Sequence, residues 1–280
     1  MAIQRVPSKW VKTKVLLHDS QITRYIPLTL KYSKATLGEM LNIHPLVYIK
    51  PDVGTYGNGV MCVDRLHEQS NIEQSNLEQD SEPVPQEHYR LHYETRSDDF
   101  NSLDDLHRAV HSRTGKKLYL IQQGIPKLKY MDRSFDLRVL TQKTPYGNWE
   151  TTAIVARVAA INRIITNYHS GGTIKMLDEV LTEHAPKERI DTLEKELYEL
   201  GEATAKQLQN DYPRLKEIGL DIAIGPELSL WILEVNTMPA ILPFRNFFKD
   251  KSIYRRIQHY AIAYGRIWAP KKKIRRKSRV

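Results

Sequence analysis

The strongest local chemical signal in the chain comes from three oxygen-bearing residues, Asp221, Glu234 and Asn236. Glu234 and Asn236 stand two apart in the strand-like run LSLWILEVN, so their side chains share a face. If residues 226–229 turn that run back on GLDIAI, Asp221 lies directly opposite Glu234 and joins the same face. Two carboxylates and an amide oxygen on one patch suit a hard cation, and Mg²⁺ in particular takes one or two carboxylates together with substrate phosphates. The competing reading is a solvated polar face on a half-buried sheet. Against it, Trp231, Ile232, Leu233 and Val235 make the surroundings look enclosed on one side.

A second signal is the loop KPDVGTYGNG, in which Lys50 precedes Gly54, Gly57 and Gly59 in the spacing G-x-x-G-x-G. Glycines let a backbone approach a phosphate and aim its N–H groups at the anion, while the lysine adds a point charge. The spacing is neither a Walker loop nor a dinucleotide fingerprint. The residues that follow, VMCVD, are strand-like, so the loop is expected to be a flap between two strands closing over a nucleotide. A structural hairpin with three glycines is the alternative.

The elements that must carry these residues alternate along the chain. Strands are expected at 46–49, 60–63, 89–94 and 117–123, with a helix at 102–111 whose Leu103, Leu106 and Val110 fall at helical spacing. FDLRVLTQK and ETTAIVARVA flank Pro145, Tyr146, Gly147 and Asn148, the composition of a hairpin turn. Residues 186–208 form a long amphipathic helix with Ile190, Leu193, Leu197, Leu200 and Leu208 on one stripe and Thr204 as its polar interruption. A closing helix is expected at 253–268. The five-residue repeat at 68–80, EQSNIEQSNLEQD, offers nothing to bury and reads as a polar surface insertion between strands. The sum is an α+β fold with mostly antiparallel sheet.

Composition narrows the function classes. At 280 residues, 41% hydrophobic and 27% charged, the chain can bury a substantial core, which excludes disorder and low-complexity architectures. No run of 18 apolar residues exists, so no membrane span is expected. A lone Cys62 forbids an intramolecular disulfide and fits a reducing compartment, and MAIQRVPSKW lacks the apolar core of a signal peptide, so a cytoplasmic protein is expected. Of the net +9, seven Lys and Arg lie in 270–280, PKKKIRRKSRV, leaving 35 basic against 33 acidic residues in a nearly neutral body. This tail is expected to be a solvated end able to meet an anionic surface. There is no G-x-S-x-G, no H-E-x-x-H and no Cys and His pair, which argues against covalent hydrolase and zinc-protease chemistry.

Taken in order, KPDVGTYGNGV, LYLIQQGI, FDLRVL, AIVARVA and GLD, followed thirteen residues after Asp221 by EVNTMPA, resemble the ATP-grasp superfamily. The EVN-x-x-P ending is similar to that of its carboxylate–amine ligases. The set is most similar to the YheC/YheD group of spore-coat-associated proteins of endospore-forming bacteria, over roughly residues 8 to 250. The resemblance implies an ATP-grasp fold in which two α+β subdomains grip the nucleotide between antiparallel sheets. It implies a helical lead-in at 1–45, a nucleotide-binding lid at 46–125 with a polar insertion at 67–88, a grasp subdomain at 126–269 with the Mg²⁺ and substrate site, and the basic tail at 270–280.

Carried over residue by residue, the resemblance implies that Lys50 contacts ATP phosphates beneath the Gly54, Gly57 and Gly59 flap. Lys9 would be a second phosphate lysine, with Lys12 and Lys14 as alternatives. Gln122, Gln123 and Ile125 would read adenine. Asp221, Glu234 and Asn236 would hold Mg²⁺, and one or both of Arg138 and Arg157 would stabilise the γ-phosphoryl group or an acylphosphate. Asn167, Gly171 and Gly172 would form a loop beside substrate and phosphate. One departure stands out: the related cell-wall peptide ligases carry an arginine two residues before the metal-binding Asp, where this chain has Gly219. The activity implied is ADP-releasing ligation of an unidentified carboxylate to an amine, on peptides or amino acids of endospore formation. The alternative is a spore-coat-associated structural protein, partnered by other coat proteins, that binds ATP without turnover or not at all.

Overall fold

The computed structural model describes residues 2–55, 57–66, 87–160 and 171–268. The repeat at 68–80, Asn167 and the tail at 270–280 lie outside them.

The chain enters through helix α1 (Lys9–Leu16), capped by the Ser8 hydroxyl, which accepts from the Val11 N–H, and then α2 (Ser20–Thr23), capped by Asp19. Strand β1 (Thr29–Lys31) leads to α3 (Lys34–Ile43), whose start is fixed by a reciprocal capping box between Ser33 and Thr36. Then follow β2 (Leu46–Pro51), β3 (Met61–Leu66), β4 (His88–Tyr93), β5 (Arg96–Phe100), α4 (Leu103–Thr114) and β6 (Tyr119–Gln123). These strands form an antiparallel sheet in the order β1-β6-β2-β3-β4-β5. Leu37, Met40 and Leu41 of α3 and Leu106 and Val110 of α4 pack with Val47, Ile49, Val63, Leu91 and Ile121 of that sheet, because each element presents its apolar residues on one side.

The second half opens with β7 (Lys129–Tyr130), β8 (Arg133–Lys143), β9 (Trp149–Val158), β10 (Thr173–Lys175), α5 (Leu177–Leu181), α6 (Lys187–Asp211), β11 (Glu217–Ile224) and β12 (Leu230–Asn236). Its sheet runs β10-β9-β8-β11-β12, again antiparallel, with β7 paired to β8. The stripe Ile190, Leu193, Leu197, Leu200 and Leu208 buries α6 against one face. On the other face, Phe244 of α7 (Pro243–Phe247) and Ile257 and Ala261 of α8 (Lys251–Ala263) meet Leu140, Ala153 and Val155. Covered on both faces, β8 and β9 are buried along nearly their whole length, although β8 still alternates Phe135, Leu137 and Val139 with Asp136 and Arg138.

The α+β class and the antiparallel pairing agree with expectation. Four strands were not foreseen: β1, β7 and β10 are only two or three residues long, and β5, RSDDF, is a polar edge strand without an apolar face. The closing helix ends at Ala263 rather than at residue 268. Within 1–45, α1 and α2 pack on α6, whereas β1 and α3 belong to the smaller sheet's layer.

Candidate functional site

Lys50 sits near the end of β2 and its ammonium reaches out of the smaller sheet, donating to Gln122 Oε1 at 2.6 Å and to the Leu233 carbonyl of the larger sheet at 2.8 Å. That carbonyl is available because β12 bulges: Leu220, Asp221 and Ile222 pair with Val235, Glu234 and Ile232, so Leu233 is skipped in the ladder. The same bulge aligns Asp221 with Glu234. The hairpin closes at Ile224 and Leu230, a register that would by itself set Asp221 against Leu233, and the extra residue shifts it by one. Burial pushes the Lys50 ammonium down to about 8, against the attraction of Glu234. Gln122 passes the constraint on, since its Nε2 donates to Thr29 Oγ1 at 2.9 Å.

Lys9 lies in the first turn of α1, where its Nζ donates to the Gly54 carbonyl at 3.2 Å and stands 3.5 Å from Glu234 Oε1. Its placement depends on Asp52, at the root of the flap. Asp52 Oδ1 accepts from Ser8 Oγ and from the Trp10 N–H, and its carbonyl accepts from the Lys9 N–H. Flap and helix start therefore hold each other. Of the alternatives, Lys12 is buried and donates to the Val6 carbonyl at 2.9 Å, while Lys14 is exposed on the far side of α1. The flap joins β2 to β3, and Gly54, Thr55, Gly57 and Asn58 line the cleft beneath it. Gly59 does not line it. It has φ +74°, and a Cβ there would come 2.8 Å from the Tyr119 hydroxyl, so close packing on β6 explains the glycine.

The opposite wall is a buried four-membered charge cluster on three adjacent strands. Asp136 of β8 faces Arg157 of β9, and Arg138 of β8 faces Asp221 of β11. Arg157 makes a two-pronged pair with Asp136 at 2.7 and 2.9 Å and reaches Asp221 Oδ2 at 3.1 Å. Arg138 Nε meets Asp221 Oδ1 at 2.7 Å. Burial alone would raise the Asp221 carboxyl, but Arg138 and Arg157 hold it below the ordinary carboxylate range. Burial lowers the Arg138 guanidinium; it works against Arg157 too, yet Asp136 and Asp221 keep that group above its usual value.

Between these walls lies a cleft of about 420 Å³. Lys9, Lys50, Gly54, Gly57, Gln122, Ile125, Arg138, Arg157, Asp221, Glu234 and Asn236 all line it. Gln123, Gly171 and Gly172 are not among the lining residues. Gln123 exchanges hydrogen bonds with Leu28 through both its backbone and its side chain, and Gly171 and Gly172 lead into β10. Residues given no role from the sequence also line it: Tyr48, Lys127 with its ammonium 5.9 Å from the Tyr48 ring, and an apolar rim in which Met238, Pro239 and Ala240 of the EVNTMPA motif are joined by Pro243 and Phe244. Lys127 was findable, as a cation two residues past Ile125; Pro243 and Phe244 were not, because NTMPAILPF has no regular period.

Among the described residues no three His, Cys, Asp or Glu side chains are gathered as a ready metal site. The donors at the sheet face are two carboxylates and an amide, all oxygen, which fits a hard cation that draws its remaining oxygens from another molecule. Asp221 is held by two arginines and must loosen one to ligate. Gly219 stands where the cell-wall ligases have arginine. A Cβ there would lie 2.7 Å from Pro239 Cβ and 3.2 Å from Arg138 Cδ, so this chain uses the space for the Arg138 side chain and the rim.

A family model described as YheC/D-like ATP-grasp matches residues 2–267. The chain is 28% identical over 235 residues to endospore coat-associated protein YheD of Bacillus subtilis, covering 83% of this chain and 48% of the relative. It is 24% identical over 238 residues to endospore coat-associated protein YheC of the same organism, covering 84% and 60%. The chain thus spans about half to three-fifths of the length of these relatives. Its fold is similar to that of D-cycloserine synthetase DcsG, with a TM-score of 0.53 at 10% identity, over 92% of this chain and 70% of that one. Among the described residues no helix is long and apolar enough to cross a membrane.

Proposed function

The chain belongs to the YheC/D-like ATP-grasp family, and from that premise we propose that it is an ATP- and Mg²⁺-dependent ligase joining a carboxylate to an amine. The observation that carries the reading is the charge layout of the cleft, with Lys9, Lys50 and the flap on one wall and Asp221, Glu234, Asn236, Arg138 and Arg157 on the other. A cleft of about 420 Å³ is within the ordinary size range of small-molecule sites, and phosphoryl transfer asks a protein mainly for positioning and charge neutralisation.

In this reading the ATP phosphates lie under the flap amides with Lys9 and Lys50, and Ile125 bounds the adenine. The two sheets, β1–β6 and β7–β12, are the two halves of the grip. Asp221, Glu234 and Asn236 would hold Mg²⁺, which would neutralise phosphate charge when bound. The substrate carboxylate oxygen attacks the γ-phosphorus, the bond to the β-phosphate oxygen breaks and ADP leaves. Arg138 and Arg157 steady the charge on the transferred group. The amine nitrogen then attacks the acyl carbon, phosphate leaves with the bonding pair, and the amine proton passes to solvent. The flap excludes water while the acylphosphate exists.

Calorimetric titration of ATP with and without Mg²⁺ tests the proposal, with Lys50→Ala and Glu234→Gln as variants. Mg²⁺-dependent binding weakened in both, and ADP release on adding amino acids or peptides that Glu234→Gln abolishes, are the expected results. Unchanged turnover in Glu234→Gln would overturn the metal assignment. A second reading, a coat-associated protein that binds nucleotide without turnover, draws on the pairing of Asp221 with two arginines and on the names of the relatives. ATP binding without ADP release under every acceptor tried would favour it, with localisation at the spore coat rather than in the cytoplasm.

A further inference from the structure

The chain's positive charge is concentrated at one end. Residues 243–280 contain thirteen Lys and Arg and one acidic residue, Asp250, while the preceding 242 residues hold 29 basic and 32 acidic ones. Part of this excess is locked into the fold: Arg256 pairs with Glu150, and Arg266 with Glu217. The rest is not. Among the described residues no ion pair holds Arg245, Lys249 or Arg255, and all three are exposed. Asp250 spends its oxygens on the Ser252 N–H and hydroxyl at the start of α8.

Arg245 and Arg255 share an open groove of about 520 Å³ between α7 and α8, lined also by Asn246, Lys251, Tyr254 and Gln258. No carboxylate lines it. The Lys251 ammonium donates to the Arg245 and Phe248 carbonyls, which ties the two helices together and fixes the groove's floor. The groove is separated from the main cleft only by the short helix α7, and consecutive residues serve the two: Pro243 and Phe244 line the cleft, Arg245 and Asn246 the groove.

We propose that this groove docks an acidic polypeptide, and that this polypeptide is the substrate presented to the cleft. The substrate role rests on the ligase reading; the docking does not. Arginine forks match carboxylates, while Asn246, Gln258 and the Tyr254 hydroxyl suit the amides of an extended backbone. The apolar rim formed by Met238, Pro239 and Phe244 then receives aliphatic stems where a chain crosses α7. A phosphate backbone would meet the same cations, but the groove offers only one aromatic ring, Tyr254, on which bases could stack, which favours a peptide over nucleic acid.

The test is fluorescence anisotropy on the full chain with labelled octaglutamate, octaglutamine, and a single-stranded oligonucleotide and phosphatidylserine vesicles of matched charge. Wild type and Arg245→Glu/Arg255→Glu are compared, both side chains being exposed, and unchanged melting of the variant establishes its fold. The expected result is that octaglutamate binds, octaglutamine does not, and the double reversal weakens octaglutamate roughly tenfold or more, the scale of losing two exposed ion pairs and adding repulsion. Equal affinity in the variant would overturn the groove assignment, and preference for the oligonucleotide or vesicles would overturn the peptide. ATP titrated into the same two proteins separates the claims. Loss of octaglutamate binding with intact ATP binding supports the groove, whereas a wild type that binds octaglutamate but not ATP sinks the ligase reading alone.

Discussion

Lys12 is the residue whose replacement most directly tests the electrostatics of the cleft's foundations. Its side chain is only 4% exposed, donates to the Val6 carbonyl at 2.9 Å and does not line the cleft. Burial lowers its pKa from 10.5 to about 8, in spite of Glu234 and with help from neighbouring Lys9. That gap corresponds to about 3 kcal/mol by which the folded state disfavours the charged form. Lys12→Met keeps the length of the stem and removes the charge. It forfeits a hydrogen bond with a net value of about 1 kcal/mol, and Val6 O keeps a 3.4 Å contact from the Thr237 hydroxyl. The variant is therefore expected to be more stable than wild type by about 2 kcal/mol at pH 7.

The pH dependence separates this account from a generic packing gain. Below pH 8 Lys12 is protonated in both folded and unfolded chains, so the penalty is present and constant. Between about 8 and 10.5 the unfolded chain retains a proton the folded one has released, so wild-type stability rises with pH. Lys50 acts in the same direction in the same window but is present in both proteins and cancels in the difference. The advantage of Lys12→Met should thus shrink steadily through this window. Urea unfolding followed by tryptophan fluorescence at pH 7 and at about pH 10 reads both quantities. A variant less stable than wild type at pH 7, or an advantage that does not change with pH, would refute the reasoning.

Three further outcomes follow from the same geometry. Asp221→Asn leaves Arg138 and part of Arg157 facing a neutral amide in a buried cluster, so a loss of about 3 kcal/mol is expected in chemical denaturation with EDTA present; no loss would mean the cluster carries no structural weight. Gly219→Ala forces Pro239 or Arg138 to move from contacts of 2.7 and 3.2 Å, and should cost about 2 kcal/mol in the same assay, against a neutral result if the rim yields freely. Thr204 Oγ1 is the one buried side-chain oxygen or nitrogen without a partner among the described residues. Thr204→Val should raise the melting temperature, by about 1 kcal/mol in stability, and a lowered melting temperature would reveal a partner for the hydroxyl.

What the sequence made legible is what repeats along an element. Ile190, Leu193, Leu197, Leu200 and Leu208 are all buried on α6, as their period required, and the strands on either side of the flap start within a residue of expectation and run two or three residues further. The meeting of Asp221 with Glu234 was also foreseen, but from a tight turn without a bulge. The observed hairpin combines a different closing pair with a bulge at Leu233, two deviations that cancel. A bulge depends on contacts from outside the hairpin, here the Lys50 ammonium on the freed carbonyl, and no local pattern encodes it. The hairpin strands that carry Asp136 and Arg157 were visible, but not that these two residues face each other. Their closure with Arg138 and Asp221 into one cluster depends on the β8–β11 pairing, which brings together Arg138 and Asp221 across 83 residues of sequence.

The charge balance of the cleft argues for an anionic occupant independently of family. Setting aside Arg266, which is matched by Glu217, its lining holds five cations, Lys9, Lys50, Lys127, Arg138 and Arg157, and three carboxylates, Asp136, Asp221 and Glu234. The arginines are matched by the two aspartates, so Glu234 alone stands against three lysines. Burial has brought the Lys50 ammonium down to about 8, so it is still charged at neutral pH but holds that charge at a cost in the free protein. A polyphosphate entering beneath the flap would restore Lys50 to its ordinary range and relieve that cost, so part of the binding free energy is stored in the empty cleft as uncompensated positive charge. A coat scaffold with no ligand would gain little from keeping a buried charge between Gln122 and a bulged carbonyl, where a neutral donor such as glutamine would answer the same acceptors without the cost of burying an ammonium.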